Sequence, residues 1–484
     1  MNTTLFLTAL ILYILALIGL GWFASKRNKS GEDFLLAGRG LPIFLTIGTT
    51  VATMVGTGSS MGAVGFGYAN GWGGILYGVG GALGILLLGL LFAPVRQLRF
   101  MTMSEELSYY VGASRLIKNT VAVLIFFACI GWLGAHILGG GLYLAWIAGI
   151  DLQLAKILIA TGFAVYVIIG GYHAVVWTDT VQAIILFAGF ILMAALAVHQ
   201  VGGWEVLMAA QPDSNRSFLA LDAIGGLHAA SLVCVIMVGV LATPSFRQRI
   251  YSGKSVSAVR KSFYISGSLY MLFAAIPAVI GMAAYALNPE LDNRNFAFPF
   301  LAVEVLPLSV GVLVLIAGLS ATMSSASSDA IAGVTVLLRD LFVWVTGRMP
   351  APQQVILYSR ISLIAVVFIA LTLALLSDDI IAYITGMIAT VMSGMFVCAL
   401  LGRFWPRFNW QGALATLAAG SVISLIVLRY AQGFWGNPIL PAVGAALVAG
   451  ISFSLLTPAS SITPEQSLKI LDDERKQMEN TPLN

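Results

Sequence analysis

Residues 46–58 read Thr46-Ile47-Gly48-Thr49-Thr50-Val51-Ala52-Thr53-Met54-Val55-Gly56-Thr57-Gly58. They lie inside an apolar run, 42–68, that is long enough to cross the ~30 Å hydrocarbon core of a bilayer. Glycine and β-branched residues are nevertheless poor material for a continuous helix. Unwound backbone at membrane depth is tolerated only where it lines a cavity or is buried in protein. A break here predicts a buried polar site. The plainer alternative is that these glycines only let neighbouring helices approach closely.

The rest of the chain sets the context for that break. Its 484 residues are 59% hydrophobic and 10% charged, with a mean hydropathy of +0.94, which excludes a soluble globular chain. Apolar runs recur near 4–23, 42–68, 72–94, 119–148, 152–171, 177–200, 227–245, 262–287, 306–338, 358–377, 379–402, 409–428 and 437–456. The expected fold class is an all-α polytopic membrane protein of about thirteen transmembrane helices. Its 51 glycines suit helices packed in a membrane.

The first run is not read as a cleaved signal peptide. Its leading Met-Asn-Thr-Thr carries no basic residue, whereas Lys26, Arg27 and Lys29 follow it. That places the N-terminus outside and, after thirteen crossings, the C-terminus inside. Of the 25 Lys and Arg residues, all but Lys156, Arg216, Arg294 and Arg429 then fall in the inner segments 24–41, 95–118, 246–261, 339–360, 403–408 and 457–484. This is the positive-inside pattern of a multi-pass plasma-membrane protein, here a bacterial inner-membrane one. The net charge of +4 matches an anionic inner leaflet and implies no nucleic-acid partner.

Cys129, Cys234 and Cys398 lie in separate runs and read as apolar fillers rather than as a disulfide or metal framework. The spans hold no paired carboxylates, His/Cys cluster or His-Glu-x-x-His spacing, so an enzyme is not expected. No phosphate loop occurs either, which leaves an ion gradient as the expected energy source.

The seventh run, 227–245, is weakened near its end by Gly239, Thr243 and Pro244. If 42–198 and 227–402 are each five-helix units, the two weakened runs open each unit. An odd number of spans per unit makes the units inverted, as in secondary transporters that bind substrate and ions at the repeat interface. Residues 1–41 are then a leading helix and inner loop, 409–456 two extra helices, and 457–484 a cytoplasmic tail.

A second polar stretch faces this design. Residues 320–329, Ser-Ala-Thr-Met-Ser-Ser-Ala-Ser-Ser-Asp, sit within the apolar run 306–338. Hydroxyls are hard neutral oxygen ligands suited to an alkali cation. They also serve plain helix packing by bonding back to their own backbone.

The motif Gly170-Gly171-Tyr172-His173-Ala174-Val175-Val176-Trp177-Thr178-Asp179-Thr180-Val181-Gln182 resembles a signature of the sodium:solute symporter family. Gly38-Arg39-Gly40-Leu41 and Leu319-Ser320-Ala321-Thr322-Met323-Ser324-Ser325, with the later Arg339-Asp340, are similar to further family motifs. The resemblance runs in order from about residue 30 to 402. It implies a LeuT-like core of five plus five inverted helices and sodium as the co-transported ion. It also implies a first sodium site at the carbonyls of Ala52 and Val55 and the hydroxyls of Ser324 and Ser325. A second sodium site would use Asp179, Ser327 and Ser328. Asp179 has a reading of its own, because an intramembrane acid is costly enough to suggest a task. The alternative is a carboxylate capping a helix start.

Asp329 departs from the family pattern and is expected in the water of an inner vestibule. By position, the solute pocket should lie beside Met54, Gly58, Trp132, His136, Ala242, Thr243 and Phe246. Val55-Gly56-Thr57-Gly58 and Phe246-Arg247-Gln248-Arg249 look most like the family's choline branch. A quaternary ammonium wants a cage of aromatic faces, and Trp132 stands nearly alone. An amino acid, carboxylate, amine or other small polar solute therefore fits equally. The expected function is sodium-coupled symport by alternating access, with the chain acting as a monomer in the bilayer. A proton-coupled relative or a non-transporting solute sensor is the alternative, and the absence of any output domain after residue 457 speaks against the sensor.

Overall fold

With no water in the hydrocarbon region, each spanning segment must satisfy its own backbone, and this composition does so by helix. The computed structural model describes residues 3–26, 31–351, 354–377 and 379–480. Arg27 and Lys29 of the expected inner loop lie outside them. The helices are α1 (Thr3–Ser25), α2 (Ile43–Met54), α3 (Ala63–Asn70), α4 (Ile75–Phe92), α5 (Met103–Tyr109), α6 (Arg115–Ala148), α7 (Leu152–Val201), α8 (Gly226–Ala242) and α9 (Pro244–Ser252). They continue as α10 (Val256–Phe273), α11 (Ala275–Leu287), α12 (Leu308–Val336), α13 (Val355–Ala374), α14 (Ile380–Met387), α15 (Ser393–Phe404), α16 (Trp410–Tyr430), α17 (Ile439–Leu456) and α18 (Pro464–Asn480). Shorter turns join them.

Ten helical stretches among the described residues are long and apolar enough to cross a membrane, eleven when α8 and α9 count as one bent span. The break after Met54 leaves the second expected run as the shorter apolar helix Ile43–Met54, below that length. The stretch Leu308–Thr346 is 72% buried and Thr4–Ala24 only 17%. The hydroxyl-rich helix α12 is thus the centre of the bundle, packed on α7 and α6, whereas α1 lies at its edge. Apolar side chains such as Phe368 and Val448 stay exposed on the outer helices, as lipid contact requires.

Three interruptions shape the centre. Helix α2 stops at Met54, Val55 takes φ −80° and ψ 59°, and helix resumes at Gly58 as a π-helical turn that runs into α3. Gly171 kinks α7 with φ +63°, a left-handed value that a side chain would oppose. Thr243 is extended between α8 and α9, which meet at 44° with Pro244 starting the second piece. Proline suits that first position because its missing N–H would be unsatisfied there in any case.

Two features of the expected inner segments go beyond the sequence reading. Arg247 and Arg249 belong to the expected inner stretch 246–261, yet both are fully buried on α9. The tail is docked on the bundle. Its helix α18 is held by Arg475 to Glu105 (3.1 Å) and by Glu474 to Arg115 (2.7 Å) and Lys118 (3.3 Å).

Candidate ion and solute site

The break after α2 frees backbone carbonyls, and α12 meets them with hydroxyls. Ser324 Oγ donates to Ala52 O at 3.0 Å, while Ser325 Oγ donates to Thr53 O at 2.9 Å and reaches Ala52 O at 3.4 Å. Among the described residues no i+4 backbone N–H returns to either carbonyl, so the serines replace the missing helical bonds. Val55 sits at the turn itself. Approach is close: a Cβ on Gly56 would fall 2.6 Å from Ser325 Oγ and 3.0 Å from the His136 ring. Ala52, Ser324 and Ser325 are therefore brought together around neutral oxygens with Val55 alongside, the donor chemistry an alkali ion prefers.

A small cavity of about 30 Å³ adjoins the break. Met54, Gly58, Trp132, His136, Thr243 and Phe246 all line it, so six of the seven expected pocket residues share one space, and Ala242 is not part of its lining. Trp132 Nε1 donates to Thr243 Oγ1 at 3.0 Å, and Thr243 in turn donates to Gly239 O at 2.6 Å. The indole lies stacked on the His136 ring, with centroids 6.4 Å apart. His136 does not bond a neighbouring carbonyl: Nδ1 meets Thr57 Oγ1 at 3.1 Å and Nε2 meets Asp329 Oδ2 at 3.2 Å. Asp329 is accordingly buried in the cavity wall rather than standing in an aqueous vestibule, and its Oδ1 has no hydrogen-bond partner among the described residues.

Asp179, on α7 beyond the kink, is fully buried. Its Oδ2 accepts from Thr49 Oγ1 at 2.6 Å and from Ser328 Oγ at 3.0 Å. Asp179, Ser327 and Ser328 of the expected second sodium set are thus together, with Ser327 also donating to Ser324 O at 3.0 Å. The same pocket holds Arg249. Its Nη2 bonds Thr49 O (3.2 Å), Thr49 Oγ1 (2.7 Å), Ser328 Oγ (2.8 Å) and Thr53 Oγ1, and lies 3.6 Å from Asp179 Oδ2.

Sequence reasoning missed Thr49, Thr53 and Arg249 as members of this cluster, and it misplaced Asp329. The available signal was two arginines directly after a predicted helix break, which read equally well as inner-loop charge.

The chain is similar to known proteins. Residues 34–420 match the model of the sodium:solute symporter family. The chain is 26% identical to the osmoregulated proline transporter OpuE of Bacillus subtilis over 92% of its length and 94% of that protein's. It is 23% identical to the sodium/pantothenate symporter of Escherichia coli, covering 94% of this chain and 97% of that one. A solved substrate-bound, outward-open structure of a Na+-coupled sialic acid symporter superposes with a TM-score of 0.83 at 20% identity, over 95% of this chain and 99% of the other. The long broken-helix bundle is thus the LeuT-like fold, and the protein belongs to the sodium:solute symporter family, as a sodium-coupled secondary transporter and not an enzyme.

Proposed function

We propose that this chain, acting as a monomer in a bacterial inner membrane, brings one small organic solute inward with sodium by alternating access. The repeats 42–198 and 227–402 meet at the central site, with the N-terminus outside and the C-terminus inside. The ion takes the carbonyls of Ala52 and Val55 and the hydroxyls of Ser324 and Ser325. The observation that carries this reading is the pair of serines lying within 3.4 Å of the freed carbonyls of the broken helix. Neutral ligands hold the ion loosely enough for release on the inner side.

The solute binds in the cavity between Trp132, His136, Thr243 and Phe246. The unsatisfied Oδ1 of Asp329 favours a solute that offers a hydrogen-bond donor, an amino or hydroxyl group. One tryptophan without an aromatic cage disfavours quaternary ammonium compounds. A potential of roughly 100 mV supplies about 2.3 kcal/mol per charge, and a tenfold sodium gradient about 1.4 kcal/mol more. One ion then sustains an accumulation on the order of 500-fold.

The test is thermal unfolding of the purified protein against a panel of small amines, amino acids, polyols and carboxylates, each with sodium and with potassium. Ligand binding to the folded state raises the transition. A hit stabilising only with sodium, and taken up by proteoliposomes only under an inward sodium gradient, supports the reading. Uptake driven equally by a proton gradient without sodium refutes it.

A further inference from the structure

The Arg249–Asp179 contact does not have the form of an ordinary ion pair. A guanidinium that recognises a carboxylate usually presents two parallel N–H groups to its two oxygens. Here Nη1 turns away to Ser245 O at 2.6 Å. Nη2 alone enters the polar pocket, where five oxygens from α2, α7 and α12 converge on it: Thr49 O, Thr49 Oγ1, Thr53 Oγ1, Ser328 Oγ and Asp179 Oδ2. A single Nη2 carries two protons and cannot donate to five acceptors. The shell therefore has the form that surrounds a spherical cation.

The hydroxyl protons point the same way. Thr53 Oγ1 donates to Ser328 Oγ (3.1 Å), Ser328 Oγ to Asp179 Oδ2 (3.0 Å), and Thr49 Oγ1 to Asp179 Oδ2 (2.6 Å). Every hydroxyl proton in the cage runs toward the carboxylate, which leaves the lone pairs facing the central position. Arg249, Asp179, Ser328 and Thr49 are all fully buried, so bulk solvent does not reach the charge placed there.

We infer that Arg249 is a tethered cation filling the second ion position of this transporter, which therefore carries one sodium ion per cycle. The inference rests on the sodium-symport reading proposed above. A sodium ion about 4 Å from the fixed guanidinium would meet a repulsion that, at an effective dielectric near 20, weakens its binding by about a thousandfold. The two cations therefore exclude each other.

The test counts sodium alone, by equilibrium binding of radioactive sodium to the purified full-length protein in nanodiscs, with potassium holding the ionic strength constant. The wild type should bind one ion per chain with a Hill coefficient near 1. Ser325→Ala should weaken that ion at least tenfold, because it occupies the first site. Arg249→Gln should bind two ions, and Arg249→Gln combined with Asp179→Asn should return to one. Two ions in the wild type overturn the inference and leave sodium symport standing. No ion in the wild type overturns both. One ion in a folded Arg249→Gln protein shows that the cage is not a cation site. Where Arg249→Gln fails to fold, the Ser325→Ala result decides: a single wild-type ion indifferent to Ser325 sits elsewhere, and the inference falls.

Discussion

Glu106 Oε1 and Arg247 Nη1 meet at 2.9 Å with neither side chain reaching solvent. Tyr251 Oη donates to Glu106 Oε2 at 2.6 Å, Tyr110 Oη donates to Oε1 at 3.1 Å, and the guanidinium lies 3.6 Å from the centre of the Phe92 ring. The pair fastens the short helix α5 to the second piece of the bent span. Losing one partner of such a buried pair leaves an uncompensated charge and costs about 3–5 kcal/mol. Glu106→Gln or Arg247→Met alone should therefore lower the thermal transition strongly. The double variant should recover much of the loss, and strictly additive losses would show that the two do not act as a pair.

Ser324→Ala and Ser325→Ala each remove a hydroxyl from the freed carbonyls of α2. The sodium concentration for half-maximal uptake should rise about tenfold in each, with solute affinity at saturating sodium changed by less than twofold. Uptake measured over a sodium series separates the two effects. An unchanged sodium dependence in both variants would remove these serines from the ion site.

Asp329→Asn keeps the shape of the side chain but weakens it as an acceptor from a solute's donor group. Solute KM should rise at least tenfold while the sodium half-saturation stays within about twofold. His136→Gln should act in the same direction, because it withdraws the partner 3.2 Å from the Asp329 carboxylate. A rise in sodium half-saturation without a change in KM would place Asp329 with the ion instead.

The docking of α18 should depend on pH. Burial alone would push the Glu105 carboxyl up, but the charges of Arg475 and Lys118 and the Met101 N–H outweigh it and hold the group below the usual carboxylate range. A carboxylate lowered in the folded state contributes stability above its unfolded value of about 4.3 and loses it as pH falls through the folded value. Limited proteolysis of the tail should therefore be slow at pH 7 and accelerate below about pH 4. Arg475→Ala should release the helix at neutral pH, a loss of about 1.5–3 kcal/mol.

Much of the fold was legible because its signals are local. The breaks at 55–57 and 243 follow from glycine, β-branched residues and Pro244, whose preferences act within a turn of their own position. The hydroxyl content of 320–329 likewise pointed to α12 as a ligand-bearing helix. The unread parts depend on distant partners. Arg247 looked like loop charge until Glu106, 141 residues away, was seen beside it. Asp329 looked solvated until His136, 193 residues away, was found against it. Arg249 is the sharpest case, since its surroundings come from three helices that no periodicity places together.

One contact ties the two interrupted spans to each other. The backbone N–H of Leu41, just ahead of α2, donates to Ser252 O at the end of α9 at 3.2 Å, beside the parallel bridge between Leu41 and Gly253. Gln248 Nε2 adds a bond to Leu35 O at 2.7 Å. Because the Leu41 bond is between main-chain atoms, exchanging side chains does not undo it; only a proline at 41, which removes the N–H, would. The lower pieces of both spans are stapled into one stiff lever. Any tilt that opens a path on that side must carry both pieces together, and the give is left to the joints at Val55 and Thr243.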